Sequence, residues 1–189
     1  MNANASGPGT VLVPLAEGFE EIEAVAIVDV LRRAGLDVCV AGLASGPVRG
    51  SHGIVVGTDR ALAEVDPASI GTIVLPGGMP GAANLRSDAR LLALVRRLAD
   101  AGRPVAAICA APTVLAAAGV LEGREVTSHP SVRGQLGGAK VLAEPRVVRS
   151  GNVITSQGAG TAIEFALALV DELVGPAKAA ELRTAMLAR

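Results

Sequence analysis

Tryptophan and tyrosine are absent from this 189-residue chain and phenylalanine occurs only twice. That removes the aromatic platform on which single-stranded nucleic acids or sugars are stacked. Cysteine and histidine are almost as scarce, at two each. Cys39, Cys109, His52 and His129 stand in no short metal-ligand spacing, and two cysteines make no disulfide framework, so zinc-finger, iron-sulfur and disulfide-scaffold classes are excluded and no metal is expected. A formal net charge of −1 argues against a dedicated polyanion binder, and no sequence-specific nucleic-acid partner is expected. The opening MNANASGPGT has neither a basic n-region nor an apolar h-region, which predicts a reducing, cytoplasmic compartment. One uncharged run of 18 residues, 104–121, tests the absence of a membrane span. It holds two prolines, a glycine and seven alanines, too weakly apolar and too broken to cross a bilayer, and reads instead as a buried strand entering a buried helix.

What is present is apolar: 50% of the residues, enough for a sizeable core. Residues 10–14 (TVLVP) form a β-branched run ended by a turn signal, the pattern of a strand buried on both faces. Over 20–34, Ala24, Ile27, Val28 and Leu31 recur at helical spacing, with acids in the first turn, Arg32 and Arg33 in the last, and Gly35 as the stop. Residues 37–43 and 71–75 read as strands, and the Gly-rich stretch 45–58 as one or two small strands with turns. A helix over 88–101, a strand over 105–108 and a helix over 110–118 ended by Gly119 follow. Short strands over 140–143, 146–148 and 152–155, a closing helix over 161–174 and a short one after Pro176 complete the chain. Strands alternate with helices, which predicts an α/β fold: a mainly parallel, doubly wound sheet with helices on both faces. No repeat or linker interrupts it, so one domain over 10–189 is expected behind a flexible N-terminus at 1–9.

Cys109 falls where the strand 105–108 meets the next helix, inside Ala107-Ile108-Cys109-Ala110-Ala111-Pro112. Small neighbours are what a sharp strand-to-helix turn tolerates, as in the nucleophile elbow of hydrolases. Such a thiol would lie at the carboxyl edge of a parallel sheet and at a helix N-terminus, whose unpaired N–H groups favour the thiolate. The alternative is that Cys109 is one more small residue of an alanine-rich core. Cys39, within a strand and with nothing nearby to ionise it, reads as inert core.

Several segments together resemble the ThiJ/PfpI superfamily, in its parkinsonism-associated deglycase and YajL-like branch. They are Glu20-Glu21-Ile22-Glu23, Val28-Asp29-Val30-Leu31-Arg32-Arg33-Ala34-Gly35, Leu75-Pro76-Gly77-Gly78 and the Cys109 segment. Thr127-Ser128-His129-Pro130 and Thr155-Ser156-Gln157-Gly158-Ala159-Gly160-Thr161, leading into Glu164-Phe165-Ala166-Leu167, follow in the same order. The resemblance implies a flavodoxin-like sandwich, Cys109 as an oxidation-prone nucleophile and Glu23 as the acid beside its sulfur. It also implies conversion of methylglyoxal or glyoxal to hydroxy acids without glutathione or another cofactor, removal of early glycation adducts from proteins or nucleotides, and a homodimer. Redox-regulated chaperoning or oxidative-stress sensing through Cys109 is the family's other role. Helical spacing alone does not choose Glu23 from Glu20, Glu21 and Glu23, all of which also read as favourable charge at a helix start. A carboxyl buried against a thiolate would have a raised pKa and would donate a hydrogen bond while protonated.

On the same resemblance His129 is a proton shuttle near Cys109, or else a histidine hydrogen-bonded in a loop. Gly77 and Gly78 match a close backbone approach where N–H groups hold an oxyanion, with Ala110 N–H as a further donor, although a glycine pair after proline is also simply a turn. The departures are informative. Ala110 stands where the protease branch has a histidine, which argues against proteolysis. No histidine follows His129, which excludes the late His-x-Glu pair of class I glutamine amidotransferases. Ala159 replaces a proline of the family's Gly-Pro-Gly-Thr loop, Ala111 a glycine after the elbow, and His52 an arginine near the expected dimer interface.

Overall fold

The computed structural model describes residues 9–188, so the N-terminal arm expected over 1–9 lies, apart from Gly9, outside the described residues. The elements are β1 (Thr10–Leu15), α1 (Glu21–Arg33), β2 (Val38–Gly42), β3 (Val48–Arg49), β4 (Val55–Val56), β5 (Arg60–Ala61) and β6 (Ile70–Leu75). They continue with α2 (Gly81–Ser87), α3 (Ala89–Asp100), β7 (Val105–Ile108), α4 (Pro112–Ala117), β8 (Glu125–Val126) and β9 (Lys140–Val141). Last come β10 (Val147–Ser150), β11 (Val153–Ser156), α5 (Ala162–Leu173) and α6 (Pro176–Ala185).

Seven strands form the central sheet in the order β10-β11-β7-β6-β1-β2-β5. Every neighbouring pair is parallel except β10 and β11, which are joined through the turn at Gly151. This is the expected flavodoxin-like α/β sandwich. Successive strand residues point to opposite faces, and both faces are dry. Val11, Val13 and Leu15 of β1, with Val74, Ala106 and Ile154, pack under α1, α5 and α6, where Ile27, Leu31 and Phe165 are fully buried. Leu12, Ile73, Leu75, Val105 and Ala107 face Leu85, Leu91, Val95 and Leu115 of α2, α3 and α4. Strands covered on both sides show continuous apolar runs rather than alternation, which is why β1, β6 and β7 are legible in sequence.

The 45–58 stretch forms the two small strands expected of it, paired as the antiparallel hairpin β3–β4 separate from the main sheet. The differences from expectation are local. The two-residue strands β5 and β8 and the helix α2 carry too few periodic residues to be seen; α2 buries only Gly81, Ala82 and Leu85. The helix after Cys109 begins at Pro112 with Ala111 at its cap, two residues later than the spacing suggests. The uncharged run 104–121 is therefore β7, a turn and α4, and among the described residues no helix is long and apolar enough to cross a membrane.

The chain leaves β1 toward β2 on one side and later returns to lay β6 and β7 on the other. The crevice at the carboxyl ends of β1, β6 and β7 is the switch point at which open parallel sheets hold ligands. Phe19 to Glu23 follow β1, Gly77 and Gly78 follow β6, and Cys109 follows β7.

Candidate active site

Cys109 has φ 64°, a left-handed backbone that a side chain rarely adopts. Such a residue persists only where its surroundings over-determine it. Here both backbone arms are tied: Cys109 N–H donates to Ser156 O at 3.0 Å, and Cys109 O accepts from His129 N–H at 2.9 Å. β11 and the segment after β8 thus hold the elbow from two sides. Its thiol is half-buried and free.

Gly77 fits because it has no side chain. A Cβ there would lie 2.7 Å from Cys109 Cβ and 2.9 Å from both Ala110 N and Glu23 Oε2. Gly78, with φ 89°, is pressed against the chain entering α1, where a Cβ would stand 2.3 Å from Glu20 N. The close approach expected of this pair is therefore present, but the two N–H groups have different partners. Gly77 N–H donates to Glu23 Oε2 at 2.8 Å. It is spent on the acid, which corrects the expectation of an oxyanion donor at Gly77. Gly78 N–H and Ala110 N–H are the ones that face the Cys109 sulfur. The anion support expected from a helix N-terminus is corrected in the same way, because α4 starts beyond the elbow and these two backbone donors stand at the sulfur instead.

The three glutamates of the first turn of α1 have three distinct environments. Glu20 caps the helix, its Oε1 accepting from Ile22 N–H at 3.2 Å. Glu21 turns into the β3–β4 hairpin and accepts from His52 N–H at 2.7 Å and Ile54 N–H at 3.3 Å, with His52 Nδ1 3.0 Å and Ser51 Oγ 3.3 Å away. Burial acts to raise its pKa, but these hydrogen bonds outweigh it and hold the carboxyl at about 2. Gly50 makes room for this clasp, since a Cβ there would meet the Glu21 carboxyl at 2.2 Å. Nothing in the amino-acid pattern signalled the clasp. His52, 72% exposed along its side chain, is raised by its Glu21 partner and ion-pairs with both Glu20 and Glu21.

Glu23 is fully buried. Among the described residues its Oε1 has no hydrogen-bond partner of ordinary geometry, and the carboxyl faces the Cys109 thiol. Burial pushes Glu23 up to about 7 in spite of the Gly77 N–H bond. Burial also pushes the Cys109 thiol up, and the Glu23 charge and hydrogen bond add to the rise, to about 12, against the Gly78 and Ala110 N–H groups. Carboxyl and thiol are therefore coupled, and above about 7 the pair holds one proton, which the higher affinity of the sulfur keeps on Cys109.

His129 lies on the rim. Its ring is exposed, and its Nδ1 accepts from Ser131 N–H at 3.3 Å with Ser131 Oγ at 2.7 Å. An accepted N–H bond at Nδ1 assigns the ring proton to Nε2. Gly158, in the loop after β11, faces both this ring and the thiol: a Cβ there would lie 3.8 Å from His129 Cδ2 and 4.0 Å from Cys109 Sγ. The structure thus brings Cys109, Glu23, Gly77, Gly78, Ala110 and His129 to one crevice. Cys39 stays apart in β2, its thiol raised by burial.

A strained cysteine elbow at the switch point of a flavodoxin-like sheet, with a buried acid against the sulfur, defines a class of α/β proteins with one poised thiol. The chain belongs to the DJ-1/PfpI family, which it matches over residues 9–172. It is 43% identical over 178 residues to Protein dj-1beta of Drosophila melanogaster, covering 93% of this chain and 95% of that one. The crystal structure of Drosophila DJ-1beta superposes with a TM-score of 0.92 at 42% identity, covering 96% and 98%. The glutathione-independent glyoxalase DJR-1.2 of Caenorhabditis elegans is 42% identical over 170 residues, covering 89% of each chain. The structure of oxidized Toxoplasma gondii DJ-1 is similar with a TM-score of 0.90 and 39% identity, covering 95% and 98%.

The raised carboxyl has a consequence for stability. Glu23 binds its proton more tightly folded than unfolded, so its contribution is present at low pH and is lost as pH rises from 4.5 to about 7. A shift of this size corresponds to about 3 kcal/mol. Urea denaturation between these pH values is expected to show that decline in the wild type, and Glu23→Gln to flatten it. An unchanged pH slope in the variant would contradict the assignment.

Proposed function

We propose that the protein is a cysteine-dependent, glutathione-independent glyoxalase acting on small 2-oxoaldehydes such as methylglyoxal and glyoxal. The observation that carries this reading is the fully buried Glu23 carboxyl, raised to about 7 against the Cys109 thiol. A general acid and base works best with a pKa near the operating pH. At the values of about 7 and about 12 the proton of the pair rests on the sulfur, so Cys109 gives it to the Glu23 carboxylate as the attack begins, and the thiolate so formed is held by the Gly78 and Ala110 N–H groups. Its sulfur adds to the aldehyde carbon, the C=O π bond opens, and the proton from Glu23 goes to the new hydroxyl, giving a hemithioacetal. Glu23 then takes the proton from C1 while His129 Nε2–H gives its proton to the C2 oxygen, forming an enediol, and Glu23 passes its proton to C2 as the C1 hydroxyl returns one to His129 Nε2. Water cleaves the resulting thioester to the hydroxy acid and restores the thiol. The relative named as a glutathione-independent glyoxalase supports this choice. Deglycation of early adducts on proteins or nucleotides uses the same addition. Such adducts equilibrate with free aldehyde, so an enzyme that consumes the aldehyde also strips them.

A second role, redox-regulated chaperone or stress sensor, is favoured by the half-buried sulfur facing two N–H groups and the Glu23 carboxyl, an environment that would hold an oxidised, anionic sulfur. A homodimer is favoured by exposed Ile22 and Val25 on α1 beside exposed Ile54 and Val55 on the hairpin that Glu21 clasps to it.

Cys109→Ala is expected to abolish conversion of methylglyoxal to lactate, followed by NMR, while Glu23→Gln lowers it by about 10²–10⁴; retained turnover in Cys109→Ala would sink the enzyme reading. With glycated protein and a fast aldehyde scavenger present, adduct loss is expected to slow to the scavenger-limited rate; faster loss would establish direct deglycation. For the redox role, Cys109→Ser is expected to lose peroxide-dependent protection of an aggregating client, and full protection before and after peroxide would remove Cys109 from it. Sedimentation is expected to show a dimer that Val25→Glu dissociates; a monomeric wild type would refute it.

A further inference from the structure

The loop that carries Gly158 is held rigidly. Gly158 O accepts from Thr161 N–H at 2.8 Å, and Gly158 N–H lies 3.1 Å from Thr161 Oγ1, which in turn is 2.6 Å from Ser156 Oγ. Gln157 Nε2 donates to Ala143 O and Pro145 O, and Arg146 Nη2 donates to Gly160 O at 2.7 Å. The position of Gly158 over the thiol is therefore set by the fold and not by its own freedom. Its backbone, φ 164° and ψ −173°, is extended, a conformation open to any residue. Glycine is not required there by strain. Nor is it required by packing, because a Cβ would make only ordinary contacts, at 3.8 Å to His129 Cδ2 and 4.0 Å to Cys109 Sγ. Gly77 and Gly78 stand in contrast: there a Cβ would collide with backbone. What a side chain at 158 would occupy is the space between the sulfur and the imidazole.

We propose that Gly158 is a specificity-determining residue: by lacking a side chain it leaves open the gap between Cys109 Sγ and the His129 ring, and the size of that gap limits the substituent a carbonyl substrate carries. The proposal deepens the glyoxalase reading and rests on Cys109 as the nucleophile of that reading. In the addition one S–C bond forms, the C=O π bond breaks and the proton of the Cys109–Glu23 pair goes to the oxygen, with no change in oxidation state at sulfur. The carbon must come within bonding distance of Sγ with its second carbonyl and substituent still attached, and the open side toward His129 is where these are placed. A methyl group at 158, in van der Waals contact with both groups, takes that volume. Glyoxal, with hydrogen as its substituent, tolerates the loss better than methylglyoxal, and methylglyoxal better than phenylglyoxal.

The test compares wild type with Gly158→Ala, and with Gly160→Ala as a loop control, since a Cβ at Gly160 meets nothing within 4 Å among the described residues. kcat/KM is measured for glyoxal, methylglyoxal and phenylglyoxal. In parallel, the rate of Cys109 alkylation by iodoacetamide and by iodoacetanilide, each normalised to free cysteine, is followed by peptide mass spectrometry, with circular dichroism as the check on folding. Gly158→Ala is expected to lower kcat/KM for phenylglyoxal roughly 10–200-fold more than for glyoxal, the range one methyl group commands in a pocket. Alkylation by the anilide should fall more than alkylation by iodoacetamide, and Gly160→Ala should match wild type in both series. An equal effect of Gly158→Ala on all aldehydes and on both alkylating agents would overturn the proposal. Should Gly158→Ala not fold, Gly158→Ser carries the same comparison. A wild type that turns over none of the aldehydes refutes the glyoxalase reading, while the alkylation pair still decides the role of Gly158.

Discussion

One buried carboxyl organises the centre of this molecule. Glu23 has been taken wholly out of water, given one backbone N–H from Gly77 and set against the thiol of Cys109. A lone ionised carboxylate in such a place is costly, so the group shifts its proton affinity upward and shares a proton with the sulfur. The rest of the site follows from making that approach possible. Gly77 must lack a side chain to fit between Glu23 and Cys109, the elbow must hold Cys109 in a left-handed backbone, and β11 and the His129 segment must anchor both ends of that turn. The strain is sustained by hydrogen bonds from β11 and from the segment after β8.

The same helix turn shows how neighbouring identical residues acquire opposite properties. Glu21 and Glu23 are two residues apart and both are buried, yet one is held at about 2 and the other raised to about 7. The difference lies in donor supply. Glu21 receives two N–H groups of the hairpin turn and a histidine, whereas Glu23 receives a single N–H and faces a thiol. The clasp also fastens the β3–β4 hairpin to the start of α1, and Ser51 N–H to Phe19 O and Glu20 N–H to Gly77 O extend that fastening to the glycine pair under the sulfur. A peripheral hairpin is thereby continuous, through backbone hydrogen bonds, with the reactive pair.

Much of the fold was legible because a parallel sheet buried on both faces writes itself as unbroken apolar runs. β1, β6 and β7 appear nearly to the residue, as do α1 and α3. The pieces that escaped, β5, β8 and α2, are short and are held by their neighbours more than by their own periodicity. Among the site residues, Cys109 stood out through its small neighbours and its place after a strand. Glu23 was singled out only by resemblance, because three glutamates in one turn have identical local chemistry. Gly77 was noticed but with a different use for its N–H, and the roles of Glu21 and Gly158 had no local signal, since both are defined by residues distant in sequence.

By itself the sequence determined the class of fold, the scarcity of reactive groups and the location of a thiol at a strand-to-helix turn, because these depend on composition and short-range periodicity. Only the tertiary structure decided which glutamate meets the sulfur, which backbone N–H groups serve the acid and which the thiol, and what stands across the gap from Cys109. Those outcomes depend on distances between segments from β1, β6, β7 and β11, and on how much water the folded crevice excludes. No single segment carries that information, because a carboxyl or a thiol takes its proton affinity from the groups that surround it after folding.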